Sequence, residues 1–331
     1  MVESYFVEAF NYAAKRGKKV FKVCDVDEAV LRTMSTDTSE VQRQLIGDLY
    51  DLSGGNVFFM TGRAHQSLDQ AWKRNLPGSY EHHSMMRIEE NGAILNLAPE
   101  INTNVVGRNA ATSIGDRVKI VDAASQVWEA KGQEAVVYIE IKNSAVALVH
   151  SLGLDDSETK EMRETLRSAA EDVIRTMGAE KTHKVTAGTD AVEIVPLAPS
   201  LCAHAHEVLP DEEKMRIANE GLGKATGIHN IMALIGDGYI PIMLGDSPGS
   251  DGPAMKVCKE YGGYGIAVSN GNDLPADFLE AANHQVIPTY KHTWSHIEQA
   301  VSFLRDSVGQ NIVDMGGKKS PRQMVAGMRN N

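Results

Sequence analysis

The chain has 331 residues, 42% hydrophobic and 23% charged, the composition of a soluble globular protein long enough for two domains. Its formal net charge of −11 argues against nucleic acid as a partner and requires any phosphate site to be made locally positive by metal, Arg or Lys. No apolar run reaches the roughly 18 residues needed to cross a bilayer, so no membrane partner is expected.

Residues 3–16 read as a short amphipathic helix, with Phe6, Ala9, Phe10, Ala13 and Ala14 at helical spacing and Gly17 as its stop. Its opening, MVESYFVEAFNYAAKRG, carries acids and no long apolar core, so it is not a secretory signal. Val20, Phe21, Val23 and Cys24 then form a short apolar strand that runs into Asp25 and Asp27. Val41–Leu52 is predicted helical, with Leu45, Ile46, Leu49 and Tyr50 on one side and Gly54-Gly55 as its break. A second buried strand, Val57–Met60, ends in Thr61-Gly62-Arg63, and Ser67–Lys73 reads as the helix after it. Strand, turn, helix, strand is the order of a parallel α/β sheet, in which function gathers outside the carboxyl ends of the strands.

Residues 84–97 are expected to form two strands around Asn91-Gly92, a hairpin signal. The polar stretch from Ile101 to Asp116 reads as the passage into a second domain. There Ala135–Lys142 alternates, with Val137, Ile139 and Ile141 facing one way and Tyr138, Glu140 and Lys142 the other. Val146–His150 returns after a turn at Asn143-Ser144. Asp155 and Glu158 have capping-box spacing ahead of a helix striped by Met162, Leu166, Ala169, Val173, Ile174 and Met177, which Gly178 ends. Lys184–Ala187 and Ala191–Leu197 complete an antiparallel sheet with a helix on one face, and Pro196, Pro199 and Pro210 mark the way out.

The first domain then resumes. A helix begins near Lys224 with Ile228, Ile231, Met232 and Ile235 as its apolar positions. Ile240–Leu244 is a third buried strand, ending in Gly245-Asp246, and Gly265–Val268 a fourth. Ile297, Val301, Phe303 and Leu304 belong to a late helix, and the tail after Gly316 is basic and Gly-rich. The expected organisation is residues 1–104 and 216–331 as a core and 105–215 as an inserted domain.

Three strand ends thus carry polar residues: Asp25 and Asp27, then Thr61-Gly62-Arg63, then the run from Asp246 to Asp251. Two carboxylates one residue apart at a strand exit repel unless a cation lies between them, and a hard divalent ion such as Mg²⁺ takes carboxylates, carbonyls and water. Each piece has an ordinary reading. Asp-Val-Asp is a common loop start, Thr-Gly-Arg a generic tight turn, and Asp246 and Asp251 turn-formers; a single lysine such as Lys224 is usually on the surface. The four together, in this order, are hard to assemble by chance.

That order resembles the haloacid-dehalogenase-like (HAD) phosphohydrolase superfamily, on the motifs DVDEA at Asp25–Ala29, TGR at Thr61–Arg63, Lys224, and GDSPGSD at Gly245–Asp251. The resemblance covers most of the chain and implies a Rossmann-like parallel core with an inserted C2-type α/β cap. Within the superfamily the chain is most similar to trehalose-6-phosphate phosphatases, on Glu140-Ile-Lys142 ahead of the apolar strand to His150 and on Val192-Glu193-Ile194-Val195-Pro196. The resemblance implies a Mg²⁺-dependent phosphatase acting on a phosphorylated sugar. Asp25 would be the nucleophile and Asp27 the general acid and base. Lys224 would hold Asp25 and the phosphoryl group, and Thr61, Gly62 and Arg63 would bind phosphate. Asp25, the Asp27 carbonyl and Asp246, with Asp251 close by, would hold the metal, and Glu140, Lys142 and Glu193 would meet the sugar.

Some residues depart from the family pattern. Glu28 and Ala29 stand where Gly and then Thr or Val are usual, so a negative charge is added near a dianionic phosphate. Ser247 replaces a second aspartate, and Asp251 comes one residue later. These changes keep a second class of function open: a catalytically weak sugar-phosphate-binding or regulatory protein on the same scaffold, beside a phosphatase of another sugar phosphate. His204-Ala-His206 and Glu81-His82-His83 read as solvated, since metal sites need several ligands. Cys24 reads as a buried strand cysteine, and a solvated face is the ordinary reading of Glu140 and Lys142. The three cysteines, Cys24, Cys202 and Cys258, show no CxxC spacing and point to a reduced, cytoplasmic setting. The oligomeric state is not legible in the sequence.

Overall fold

The structure is a computed structural model that describes residues 4–25, 29–30, 39–53, 57–62, 86–89, 94–98, 103–106, 114–130, 138–142, 145–149, 156–187, 191–197, 207–220 and 223–309. Its strands are β1 (Lys19–Asp25), β2 (Val57–Met60), β3 (Met86–Glu89), β4 (Ile94–Ala98), β5 (Thr103–Val106), β6 (Tyr138–Ile141), β7 (Val146–Val149), β8 (His183–Ala187), β9 (Ala191–Pro196), β10 (Tyr239–Gly245), β11 (Tyr264–Val268) and β12 (Val286–Ile287). Its helices are α1 (Tyr5–Ala14), α2 (Glu40–Leu52), α3 (Ile114–Ala130), α4 (Asp156–Thr176), α5 (Asp211–Glu220), α6 (Lys224–Ile235), α7 (Asp251–Glu260), α8 (Ala276–Ala281) and α9 (Tyr290–Gly309).

Eight strands form one sheet in the order β12-β11-β10-β1-β2-β3-β4-β5. Neighbours from β12 to β3 run parallel, and β4 and β5 return antiparallel. The central strand β1 reads as an almost unbroken apolar run because both of its faces are covered. Val20 and Cys24 pack with Ile240, Ile242 and Leu244 under α1, α2 and α9. Phe21 and Val23 pack with Met243 and Ala267 under α5 to α8. The lysine between them, Lys22, is fully buried with the rest.

The other four strands form a separate antiparallel sheet in the order β6-β7-β9-β8. Val146, Leu148, Val192 and Ile194 face Ile120 and Ala124 of α3 and Leu166, Ala170 and Val173 of α4. This is the antiparallel insert expected from the alternating strands, with two helices on its face rather than one. The helix α3 escaped the sequence reading because its apolar residues do not fall on one face: Ile120 and Ala124 are buried while Val118 is 53% exposed. Ile141, expected on the inner face with Ile139, is 53% exposed at the end of β6.

Residues 101–116 are more than a passage. Thr103–Val106 pairs with β4 in the core sheet, a contact made by the backbone of an edge strand that the polar sequence did not signal. The boundary expected at 104 therefore falls inside β5, and that at 215 inside α5. The expected helix over Ser67–Lys73 and the tail after Gly316 lie outside the described residues. No helix among the described residues is long and apolar enough to cross a membrane.

Candidate active site

Parallel register lines up three strand ends. Cys24 lies opposite Leu244 on β10 and Phe59 on β2, and Asp25 lies opposite Met60. Asp25, Thr61-Gly62 and Gly245-Asp246 therefore leave the sheet side by side. Asp25 is 4% exposed and Thr61 fully buried.

Two helices bring the remaining groups. Lys224 is the first residue of α6, a helix buried along nearly its whole length between the sheet and α7. That packing holds its Nζ 2.7 Å from Asp25 Oδ1 and 2.7 Å from Asp251 Oδ1. Asp251 is the first residue of α7, where a carboxylate suits the positive end of the helix dipole. Its Oδ2 accepts the backbone N–H groups of Asp246 and Ser247, each at 2.9 Å. Asp251 thus ties the lysine to the turn that presents Asp246. This turn needs glycine at 245, because a Cβ there would lie 2.4 Å from the Asp251 carboxylate.

The electrostatics are lopsided. Carboxylate oxygens of Asp25, Asp246 and Asp251 all lie within 4.8 Å of one another. Burial, then the Asp251 charge, push the Asp25 carboxyl well above the ordinary range against the pull of Lys224. Burial alone would lower the Lys224 ammonium, but Asp25 and Asp251 outweigh it and hold it above the lysine range. The described charged side chains of this cluster are three carboxyl groups and this one ammonium, an excess of acidic groups. A cluster of hard oxygen donors with that excess fits a divalent cation such as Mg²⁺.

The second sheet contributes a cluster of its own. Register sets Glu140 opposite Ala147 and Ala147 opposite Glu193, on the face away from α3 and α4. Lys142 is 4% exposed, pairs with Glu193, and lies 3.5 Å from Glu140 Oε2. Its Nζ also donates to the Gly62 carbonyl at 2.6 Å, across from the core. A Cβ on Gly249 would stand 3.9 Å from the Ala187 carbonyl, a second close approach of the two parts.

The structure therefore brings together Asp25, Thr61, Gly62, Lys224, Asp246 and Asp251 in the core, and Glu140, Lys142 and Glu193 in the insert. Asp27, Glu28 and Arg63 lie outside the described residues, as do His204, His206 and the Glu81–His83 run. Ala29 is fully buried. Cys24 is a buried strand cysteine as expected, its thiol pushed up to about 12 by burial. Two supporting contacts were not read from the sequence. Arg117 of α3 donates to the Lys142 carbonyl at 2.8 Å, and the Gly62 carbonyl receives Lys142. Neither has a sequence signal, because both join residues distant along the chain.

No protein-family model matches the sequence, and no curated protein matches it. Solved structures do. The C-terminal domain of the C. albicans trehalose-6-phosphate phosphatase is similar with a TM-score of 0.60 at 13% identity, over 91% of this chain and 97% of that one. A trehalose-6-phosphate phosphatase related protein gives a TM-score of 0.51 at 16% identity, over 87% and 99%. The C-terminal domain of the Candida albicans trehalose synthase regulatory protein gives 0.55 at 13% identity, over 89% and 99%. At such identities the likeness speaks for the fold. The chain shares the fold of these structures: a Rossmann-like parallel core carrying an inserted antiparallel α/β unit, the fold class that the haloacid-dehalogenase-like motifs led to expect.

Proposed function

We propose that the chain is a divalent-metal-dependent phosphatase of a phosphorylated sugar, working through an aspartyl phosphate, with residues 105–215 as its cap. One observation carries the reading: a buried carboxylate, Asp25, held by Lys224 inside a cluster of three aspartates, at the carboxyl edge of a parallel sheet. Asp25 has one oxygen fixed by the ammonium, which orients the carboxylate for attack on phosphorus. As the Asp25 Oδ–P bond forms, the bond from phosphorus to the sugar oxygen breaks, and that oxygen takes a proton from Asp27. Water then attacks phosphorus, gives its proton to the Asp27 carboxylate, and releases phosphate and free Asp25. Thr61, buried at the end of β2, and Gly62 beside it suit phosphate oxygens, with Arg63 following. A magnesium ion held by Asp25, Asp246 and the Asp27 carbonyl, with Asp251 behind, would neutralise charge between nucleophile and phosphate.

In the cap, the Glu140 and Glu193 carboxylates face the core and suit sugar hydroxyls, since charged hydrogen bonds are the stronger kind. The buried free thiols of Cys24 and Cys258 fit a reducing, cytoplasmic setting.

A binding or regulatory role on the same scaffold is the second reading, favoured by the likeness to a regulatory-protein domain. Phosphate release from a panel of sugar phosphates, trehalose 6-phosphate included, with and without Mg²⁺, separates the two. Release that requires the metal is the expected result. Tight binding of a sugar phosphate with no release would replace the enzyme reading by the regulatory one.

A further inference from the structure

The cap lysine is largely engaged within the protein. A lysine ammonium has three N–H groups. Around Lys142 Nζ stand three acceptors: a Glu193 carboxylate oxygen, the Gly62 carbonyl at 2.6 Å and Glu140 Oε2 at 3.5 Å. Its backbone is pinned as well. Arg117 donates to its carbonyl at 2.8 Å, and its N–H donates to the Ala145 carbonyl at 2.9 Å. An ammonium this buried and this engaged is a structural connector. What it connects is the cap sheet, through Glu193 on β9 and Glu140 on β6, and the turn that leaves β2 beside Asp25.

We propose that Lys142 is a positioning residue: with the cap shut, it locks the Thr61-Gly62 turn in the place where phosphate is bound. The contact to Gly62 exists only while cap and core meet, so the turn is held in one arrangement when the cap is closed and released when it opens. Glu193, in direct contact, holds the ammonium in its buried place and aims it at the carbonyl. Closure of the cap and assembly of the phosphate subsite thereby become one event. The kinetic side of this proposal rests on the phosphatase reading; the structural side does not.

The test uses the full chain with Lys142→Met, and with Lys142→Gln, which keeps a donor but not the charge. Turnover of trehalose 6-phosphate, or the panel's best sugar phosphate, is compared with that of p-nitrophenyl phosphate. Amide hydrogen exchange is followed over residues 57–62 and over α4 and β9. Losing a hydrogen bond to a charged group should cost kcat/KM roughly 10- to 100-fold on both esters, with Lys142→Gln in between. Exchange should quicken over residues 57–62 while α4 and β9 keep their protection. A loss confined to the sugar phosphate, with residues 57–62 unchanged, would overturn the proposal and make Lys142 a sugar ligand. Faster exchange throughout α4 and β9 would also overturn it, by making the lysine a residue of cap folding. If the wild type hydrolyses neither ester, the phosphatase reading falls, and exchange over residues 57–62 still decides for or against the lock.

Discussion

Replacing Lys22 by methionine is expected to stabilise the protein strongly at neutral pH and hardly at all near pH 10. Lys22 sits on β1, the strand that ends in Asp25, fully buried, and its Nζ has no hydrogen-bond partner among the described residues. The Phe10 ring lies 4.7 Å away and offers the ammonium a weak cation–π contact. Burial, the dominant cause, lowers its pKa from 10.5 to about 7. The unfolded chain therefore keeps a proton that the fold releases across that window, and stability rises with pH through it. At and below pH 7 the penalty is fully present, on the order of 5 kcal/mol from the difference between the two values, each decade being worth about 1.4 kcal/mol. That is a large share of the roughly 5–15 kcal/mol that holds a domain together. Methionine fills a similar volume with nothing to ionise, so Lys22→Met should gain several kcal/mol at pH 6–7, and the gain should shrink towards zero at about pH 10. Urea unfolding of both proteins at about pH 6, 7, 8.5 and 10 measures it, because titrations common to both cancel in the difference. A difference that stays constant with pH, or a methionine variant that is less stable at pH 7, would refute the assignment of an uncompensated buried amine.

Asp25→Asn should abolish turnover, by several orders of magnitude, while circular dichroism and the melting profile stay native; retention of more than about a tenth of the rate would end its assignment as nucleophile. Excess chelator, and separately Asp246→Ala, should each remove activity, and only the chelated wild type should recover on adding Mg²⁺. Gly245→Ala forces a methyl to within 2.4 Å of the Asp251 carboxylate, so it should cut kcat at least roughly 10-fold and lower the melting temperature. Glu140→Ala and Glu193→Ala should each weaken turnover of the sugar phosphate roughly 10-fold or more; Glu140→Ala should leave p-nitrophenyl phosphate nearly unaffected, as kcat/KM for the two esters will show.

What could be read in the sequence was whatever is local. Strands ending in Asp25, Met60 and Gly245 are short apolar runs that stop at polar residues, and their parallel order follows from the helices between them. The amphipathic α4 announced itself by the stripe from Met162 to Met177, and Gly178, at φ +62°, stops it as expected. The candidate residues Asp25, Thr61 and Asp246 were legible because polar residues at a strand exit are a local pattern, repeated after β1, β2 and β10. Contacts between distant residues were not legible. Nothing in Lys142 states that its ammonium reaches Gly62, 80 residues earlier. Nothing in Lys22 states that it lies inward, since a lysine in a strand pattern is read as exposed. Short elements whose register comes from the backbone, such as β5, were hidden for the same reason.

A second acidic cluster contrasts with the one at Asp25. Glu213, His229 and Glu260 also bring ligand atoms within 4.8 Å of one another. There the Arg216 guanidinium already stands among them: Nη2 donates to Glu260 Oε2 at 2.8 Å, contacts Glu213 Oε1, and lies 3.2 Å from His229 Nε2. With Nε2 accepting from the arginine, the ring proton sits on Nδ1 and is donated to the Tyr261 hydroxyl at 3.1 Å, and burial lowers the imidazole to about 4, so it stays neutral. Two carboxylates there meet a built-in cation, and both are partly exposed. At Asp25 three carboxylates meet one ammonium, and two of the three are almost fully buried. Gathering acidic groups costs more in a buried place than at the surface. The same network joins α5, the middle of α6 and the end of α7 away from Asp251, so the packing that fixes Lys224 and Asp251 is itself held by Arg216 and His229.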